Sequence, residues 1–239
     1  MITSTKVSVI IPCYNYDKYL VDCISSVIRQ KLDPMISLEI IIVDDCSTDK
    51  TFELATEIAK RVENVKVIHN ETNMKLPATR NIGIKQSTGR CIVCLDADYM
   101  LPPDYIQSCF NFIISNNLDI VYTDSYCFGI TERKFTWPDY DVERLKKNNF
   151  IHGASMFRRI VWEHINGYDE SFVLGSEDYD FWLMAAKKGF KFGKCSYTHL
   201  MYRRTNESMI EMITSKNKEL VKEQLKKKHG DFYKEDHNS

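Results

Sequence analysis

The sequence has little net charge and no long apolar run, and each absence excludes a class of protein. Its 32 lysines and arginines nearly balance its 33 aspartates and glutamates, which leaves a formal net charge of −1. A whole-surface attraction to nucleic acid is therefore not expected. No stretch approaches the roughly eighteen consecutive apolar residues of a membrane-spanning helix. The apolar run near the N-terminus is also too short for a signal peptide, so we expect a cytoplasmic protein.

The sequence also lacks a second cysteine pair of the kind that binds zinc. Its eight cysteines are scattered, and most lie within apolar runs, which is typical of small buried side chains in a reducing compartment. Cys91 and Cys94 have CxxC spacing, but no second CxxC and no nearby Cys/His pair accompanies them. We predict that both cysteines are structural.

Short apolar strands alternate with amphipathic helices along the first half of the chain. The predicted strands are 6–12, 38–43, 65–69 and 91–95, and the predicted helices are 17–30, 51–62, 77–86 and 102–116. This alternation predicts a parallel sheet with helices on both faces. The second half is more mixed, with predicted strands at 119–128, 134–137, 154–158, 190–194 and 199–203 and predicted helices at 142–147 and 179–188.

Polar side chains follow the first, second and fourth predicted strands. These side chains are Tyr14 and Asn15, Asp44 and Asp45, and Asp96 and Asp98. Parallel strands place their carboxyl ends at one edge of the sheet, where ligands bind in open α/β folds. We therefore expect a ligand site at this edge.

Two acidic pairs at this edge each have two interpretations. Asp96 and Asp98 point to the same side of an extended chain, which suits a hard divalent cation that also binds phosphate oxygens. The alternative is an acidic turn before the next helix. Asp44 and Asp45 either cap helix 51–62 or accept hydrogen bonds from a ligand such as a ribose.

A third acidic pair, Glu177 and Asp178, begins the predicted helix 179–188. Acids at a helix N-terminus interact favourably with the helix dipole, which is one interpretation. The nearby Tyr179, Asp180 and Trp182 fit a substrate pocket, which is the other.

Four ordered blocks carry a more specific signal. They read VSVIIPCYNY, IIVDDCSTDKT, ATRNIGIKQSTGRCIVCLDAD, and GYDESF followed by SEDYDFWLMAAKKGFKF. Together, over residues 6–209, they resemble the family 2 glycosyltransferases of the GT-A fold. The resemblance implies an α/β, Rossmann-like fold with a mostly parallel central sheet, helices on both faces, and a small mixed acceptor-side subregion towards the C-terminus.

The same resemblance implies a domain organisation. One transferase domain would occupy residues 1–214, in which 1–100 bind the nucleotide sugar and 101–214 bind the acceptor and hold catalytic groups. Beyond the region of resemblance, the sequence itself predicts a lysine-rich helical tail over residues 215–239, with six lysines and two glutamates over 216–228. This tail is either a solvated helix or a basic surface that contacts anionic lipid at the inner face of the membrane.

The resemblance also assigns residues to a nucleoside-diphosphate sugar, most simply a UDP-sugar. The donor-binding residues it implies are Pro12, Tyr14, Asn15, Asp45, Arg80, Asp96 and Ala97. Among these, Tyr14 would stack against the base, Asp45 would contact the base or ribose, and Arg80 would serve phosphate or an acid network. Asp98 would ligate Mg²⁺ or Mn²⁺ on the diphosphate.

On the acceptor side, the resemblance implies that Asp178 is the general base of an inverting displacement. The acceptor would be a glycan, a lipid-linked intermediate or a protein. Glu177 would position loops or the acceptor, and His152 is either an acceptor contact or structural. Further candidates are Trp182 on the acceptor side and His199, Arg203 and Arg204 on the diphosphate side.

The chain departs from the family pattern at four positions. Lys75 and Cys46 stand where glycine is common. Tyr99 stands where many members carry a further acid, and Thr205 stands where a histidine often approaches the diphosphate or metal. The last two departures put the metal shell in doubt: either metal use is weaker, or another group, such as His199 or the pair Arg203 and Arg204, neutralises the diphosphate.

Two other functions compete with sugar transfer. A sugar nucleotidyltransferase would share the sheet, but it normally needs a glycine-rich phosphate loop after the first strand, where this chain has Pro12-Cys13-Tyr14-Asn15. A non-catalytic nucleotide-sugar-binding homologue is the other alternative. The presence of both Asp98 and Asp178 argues against it.

Overall fold

A computed structural model describes residues 5–205 and 215–233 as one sheet with helices on both faces. The strands are β1 (Thr5–Cys13), β2 (Ile36–Asp44), β3 (Val65–His69), β4 (Cys91–Cys94), β5 (Ile120–Gly129), β6 (Arg133–Phe135), β7 (Met156–Arg158) and β8 (Phe192–Arg204). The helices are α1 (Leu20–Ile28), α2 (Thr51–Arg61), α3 (Leu76–Gln86), α4 (Tyr105–Ser115), α5 (Val142–Lys147), α6 (Arg159–His164), α7 (Glu177–Lys187) and α8 (Ser215–His229).

The strands follow the order β3-β2-β1-β4-β7-β5-β6, with β8 paired to β5. The pairs β1–β2, β1–β4, β2–β3 and β5–β8 are parallel. Strand β7 pairs antiparallel with both β4 and β5 and so joins the two halves of the sheet. The predicted α/β fold with a mostly parallel central sheet is confirmed.

Both faces of the central strands are buried, which explains their continuous apolar runs. Ile11 packs in a core with Ile24 of α1, whereas its neighbour Ile10 packs on the other face in a core with Trp182 of α7. Because successive side chains of a strand point to opposite faces, β1 contributes to both cores. Its carboxyl end is thereby held between two layers of helices.

The second half differs from the prediction in three places. The two short strands expected at 190–194 and 199–203 are one strand, β8, whose register against β5 shifts between Thr123 and Asp124. Residues 196–198 form this irregularity, and their polar composition produced the apparent break. Helix α6 was not predicted, since six residues are too few to show a helical period. The strand predicted at 154–158 is the shorter β7.

Helix α8 packs against the domain. Val221, Leu225 and the following Phe232 are buried within the core that contains Trp182. One face of this lysine-rich segment is therefore part of the fold, and the other is solvent-exposed. Residues 206–214 of the expected domain and 234–239 of the expected tail lie outside the described residues. No helix in the described part of the chain is long and apolar enough to cross a membrane.

Candidate active site

The loops that follow β1 and β2 are hydrogen-bonded to each other at the carboxyl edge of the sheet. The amide of Asn15 donates to Ser47 Oγ at 3.0 Å, and Asn15 Oδ1 accepts from the Thr48 amide at 2.8 Å. Asn15 adopts a left-handed backbone conformation with φ 62°, which asparagine tolerates well. The adjacent Tyr14 is 44% exposed, so its ring is accessible to a ligand.

Asp45 organises the loop before α3. Its carboxylate accepts hydrogen bonds from Asn70 Nδ2 at 2.8 Å and from the amides of Met74 and Lys75 at 2.8 and 2.9 Å. The expected contact of Asp45 with a base or ribose stays a prediction. The three bonds already use most of the hydrogen-bond acceptor capacity of its carboxylate. Neighbouring Asp44 is fully buried and bonds to His69 Nδ1 at 2.8 Å.

Two of the residues that depart from the family pattern have left-handed backbone φ angles. Cys46 has φ 63°, and Lys75 has φ 71° and ψ 160°. The Lys75 conformation belongs almost exclusively to glycine and strains any residue with a side chain. The glycines that are common in the family at these positions therefore suit the backbone better than the residues found here.

Arg80 connects two of the acidic pairs. This α3 side chain is 2% exposed; its Nη2 donates to Asp96 Oδ1 at 2.8 Å and its Nη1 donates to Glu177 Oε1 at 2.5 Å. Burial opposes the guanidinium charge, but Asp96 and Glu177 hold the pKa of Arg80 well above its usual value. Of the two roles expected for Arg80, the structure shows the acid network.

Asp178 lies beside this network in the first turn of α7. Its Oδ1 accepts from its neighbour's amide at 2.7 Å and from Asn149 Nδ2 at 3.4 Å. Burial, followed by the charge of Glu177, raises the pKa of Asp178 to about 7, while Arg80 opposes the rise. A methyl group on Gly153 would lie 3.2 Å from Arg80 Nη2 and 3.7 Å from Asp178 Oδ2. The backbone therefore passes close to this carboxylate, which can accept a proton near neutral pH.

Asp98 is 9% exposed and faces a second acid. Burial, followed by the charge of Asp96, raises the pKa of Asp98 to about 7. Burial and the charges of these two aspartates also raise the pKa of Tyr16, which lies in the loop after β1. Asp98 thus sits in a confined acidic environment where a cation would relieve the repulsion between carboxylates.

The carboxylate oxygens at this position fit an Mg²⁺ or Mn²⁺ ion that binds only a few protein side chains. Within residues 5–205 and 215–233, no group of three or more His, Cys, Asp or Glu side chains could hold a metal ion by itself. Mg²⁺ is commonly bound through one or two carboxylates, with phosphate oxygens and water completing its shell. Asp98, with Asp96 beside it, matches that pattern.

The diphosphate-side candidates differ in position. Arg203 Nε donates to the Asp98 carbonyl at 3.2 Å and its Nη2 donates to Asp22 Oδ2 at 3.0 Å, so this cation lies beside the loop after β4. Arg204, the next residue of β8, lies opposite Gly129 of β5. His199 packs edge-on against Tyr126, with ring centroids 6.2 Å apart.

Tyr99, which stands where the family pattern favours an additional acid, packs against Tyr202 of β8. Their ring centroids are 4.6 Å apart, and this contact joins the loop after β4 to β8. An aromatic contact thus replaces a carboxylate beside Asp98.

Two of the acceptor-side candidates, His152 and Trp182, make contacts inside the protein. His152 Nε2 lies 3.1 Å from Thr123 Oγ1, and burial lowers the pKa of His152 to about 4, which leaves its ring neutral near pH 7. The expectation for Trp182 is corrected: its side chain is 0% exposed and its Nε1 donates to the Ile151 carbonyl at 3.0 Å. Trp182 is a core residue and cannot line the acceptor pocket.

Three site residues were missed by sequence reasoning. Tyr16 lies two positions beyond Tyr14 and shares its loop, so the same motif could have indicated it. Asn149 and Gly153 reach Asp178 from the segment between α5 and β7. No sequence signal separates Asn149 from its neighbour Asn148.

The donor-side candidates Pro12 and Ala97 are both buried. Pro12 lies near the end of β1, and Ala97 lies in the loop after β4.

The chain is similar to known sugar-transferring proteins. A family model described as "Glycosyl transferase family 2" matches residues 8–173. A chondroitin synthase of Escherichia coli is 29% identical over 227 residues, which cover 92% of this chain and 32% of that protein. A hyaluronan synthase of Pasteurella multocida is 27% identical over 235 residues, which cover 95% of this chain and 24% of that protein. This chain thus spans a third or less of these two relatives.

Solved structures show the same fold at low identity. S. aureus TarS 1–349 in complex with UDP-GlcNAc superposes with a TM-score of 0.73 at 21% identity, covering 86% of this chain and 60% of that one. The mannosyltransferase PcManGT from Pyrobaculum calidifontis, in complex with GDP-Man and Mn²⁺, superposes with a TM-score of 0.69 at 16% identity. That match covers 86% of this chain and 59% of the mannosyltransferase.

Proposed function

Because the chain belongs to glycosyl transferase family 2, we propose that it transfers a sugar from a nucleoside-diphosphate donor to an acceptor hydroxyl. One observation carries this proposal. A partly buried carboxylate, Asp178, whose pKa is raised to about 7, stands beside the Arg80 network that leads to Asp96 at the end of β4. One buried arginine thus bonds the donor-side acid Asp96 and also Glu177, the residue that precedes the proposed proton acceptor.

The proposed reaction is a single displacement with inversion. Asp178 takes the proton of the acceptor hydroxyl as its oxygen forms a bond to the anomeric carbon. The bond between that carbon and the donor's phosphate oxygen breaks, and its electron pair leaves with the nucleoside diphosphate. An α-linked donor would give a β-linked product. Glu177 holds Arg80 in place and keeps the pKa of Asp178 raised.

We place a divalent cation, Mn²⁺ or Mg²⁺, at Asp98. When bound, it would supply charge neutralisation for the leaving diphosphate. Asp98 would hold it with Asp96 beside the site, and Arg203 would add positive charge next to the same loop. The structurally similar mannosyltransferase was solved with Mn²⁺, which supports this assignment.

The donor is proposed to be a UDP-sugar. TarS was solved with UDP-GlcNAc, and the exposed Tyr14 ring in this chain is placed to stack on a base. The relatives named for chondroitin and hyaluronan favour a glycan acceptor, with a lipid-linked glycan as the other candidate.

The test is nucleoside diphosphate release across a panel of UDP- and GDP-sugars, with and without Mn²⁺ or Mg²⁺. Wild type is compared with Asp178→Asn and with Glu163→Gln, which removes an exposed carboxylate of α6. We expect turnover by wild type and the control, and its loss in Asp178→Asn. Full activity of Asp178→Asn on a defined acceptor would contradict the base assignment. Donor binding without turnover would instead favour the non-catalytic homologue, and the absence of both would remove the transferase proposal.

Peripheral contact with the cytoplasmic face of the membrane is proposed for three lysines of α8, Lys216, Lys222 and Lys227. All three are exposed. Their attraction to anionic lipid is testable by co-sedimentation with phosphatidylserine vesicles, comparing wild type with the triple Lys→Gln variant. Equal binding of the two proteins would contradict the contact.

A further inference from the structure

Helix α8 is bonded to the first turn of α7, the turn that carries the proposed base. His229 Nε2 lies 2.8 Å from Asp180 Oδ1, and Lys228 Nζ donates to Asp180 Oδ2 at 2.9 Å. Asp180 is 1% exposed and His229 is fully buried. Both oxygens of a buried carboxylate, two residues beyond Asp178, are therefore held by side chains from α8.

The same helix holds the segment that leads into α7. Lys228 Nζ also donates to Asp169 Oδ2 at 2.7 Å and lies 5.4 Å from the ring centroid of Phe172. Gln224 Nε2 donates to Ser171 Oγ at 2.8 Å. These bonds and the buried apolar residues of α8 fix the chain on both sides of the loop before the base.

The first turn of α7 needs such support, because local structure supplies little. Its N-cap residue Ser176 is left-handed, with φ 64°, and makes no side-chain cap hydrogen bond. Glu177, Asp178 and Asp180 place three carboxylates in this one turn. Their mutual repulsion is opposed from one side by Arg80 and from the other by Lys228.

We propose that Lys228 and His229 are positioning residues that fix the first turn of α7 and thereby hold Asp178 beside Arg80 and Asn149. The catalytic part of this inference rests on the proposed function of Asp178. Neither α8 residue touches the Asp178 carboxylate in the described structure, so both act through Asp180. The family model ends at residue 173, before α7 and α8 begin.

The experiment uses the full chain and four variants. Lys228→Met and His229→Leu break the bonds to Asp180, Lys228→Arg is the conservative replacement, and Lys226→Met is the matched control on the exposed face of α8. Amide hydrogen exchange over residues 176–182 reports the order of the turn directly. Steady-state kinetics, UDP affinity and thermal unfolding are measured on the same proteins.

We expect faster exchange confined to the first turn of α7 in Lys228→Met and His229→Leu. Because small displacements of a reacting group carry large rate penalties, kcat should fall about tenfold while donor KM and UDP affinity change less than about twofold. Lys228→Arg should restore both the exchange pattern and kcat, and Lys226→Met should match wild type.

Four results would overturn the inference. Three of them are unchanged exchange in both bond-breaking variants, an equal effect of Lys226→Met, and faster exchange with full kcat. A uniform rise in exchange across the protein, not rescued by Lys228→Arg, would also overturn it, because it indicates general destabilisation. If wild type turns over no donor, the proposed function fails, whereas the exchange data still decide whether α8 holds this turn.

Discussion

Replacing Glu177 by glutamine should extend activity to lower pH. Asp178 must be deprotonated to accept a proton, so kcat/KM of the wild type should fall as the pH drops below about 7. The charge of Glu177 is, after burial, the next cause of this raised pKa. Glutamine removes that charge and keeps an oxygen that can accept from Arg80. The pKa of Asp178 should therefore decrease, and the acidic limb of the profile should move to lower pH.

The size of the shift follows from simple electrostatics. Two unit charges roughly 6 Å apart in an effective dielectric constant of about 20 interact by about 3 kcal/mol, or about two pKa units. Partial exposure of the Asp178 side chain reduces this to about one unit. Arg80, relieved of one acidic partner, adds a smaller shift in the same direction.

The assay is kcat/KM between pH 5 and pH 9 at a saturating concentration of Mn²⁺. Saturation is needed because Asp98 also has a pKa raised to about 7, and a bound cation keeps its carboxylate ionised. Glu163→Gln is the control and should leave the profile unchanged. An acidic limb of Glu177→Gln that stays in place or moves to higher pH would refute the electrostatic argument.

Three further predictions concern backbone strain, metal and core. Lys75→Gly should raise the free energy of unfolding by about 1 kcal/mol in urea denaturation, whereas Lys50→Gly, where φ is −80°, should not. Chelation by EDTA should stop nucleoside diphosphate release and Mn²⁺ should restore it, while full activity in EDTA would exclude a required metal at Asp98. Trp182→Phe should lower stability by about 1–2 kcal/mol through its lost bond to Ile151 and leave acceptor KM unchanged.

The parallel half of the fold was predictable because its signals are local. Strands β1, β2 and β4 are apolar runs buried largely on both faces, β3 is a shorter strand at the edge of the sheet, and amphipathic helices separate them. Strand β8 was not, since its continuity depends on pairing with β5 across the irregularity at 196–198. The antiparallel insertion of β7 is equally non-local, because three residues carry no information about their neighbours in the sheet.

The candidate site likewise has a part that the sequence predicted and a part that it did not. The acids at strand ends were found from the order of the elements, which brings carboxyl ends together. The resemblance gave Arg80 an acid network as one of two roles, but its partners were not predicted, because Asp96 and Glu177 lie 16 and 97 positions away along the chain. The aromatic and acidic character of 177–182 suggested a pocket, but only packing shows that Trp182 faces the core. Composition cannot distinguish the two faces of a buried helix.

The insertion of β7 also bears on how the protein is made. Strand β4 has four buried residues and lies between β1 and β7. A ribosome produces the chain from its N-terminus, so β1 to β4 can assemble while β7 has not been synthesised. Until then, β4 presents an unpaired apolar edge, the kind of surface that recruits strands from other molecules. Once Met156–Arg158 has been translated, β7 can pair with β4 and cover this edge. The sheet of the nascent chain therefore depends on the second half of the sequence.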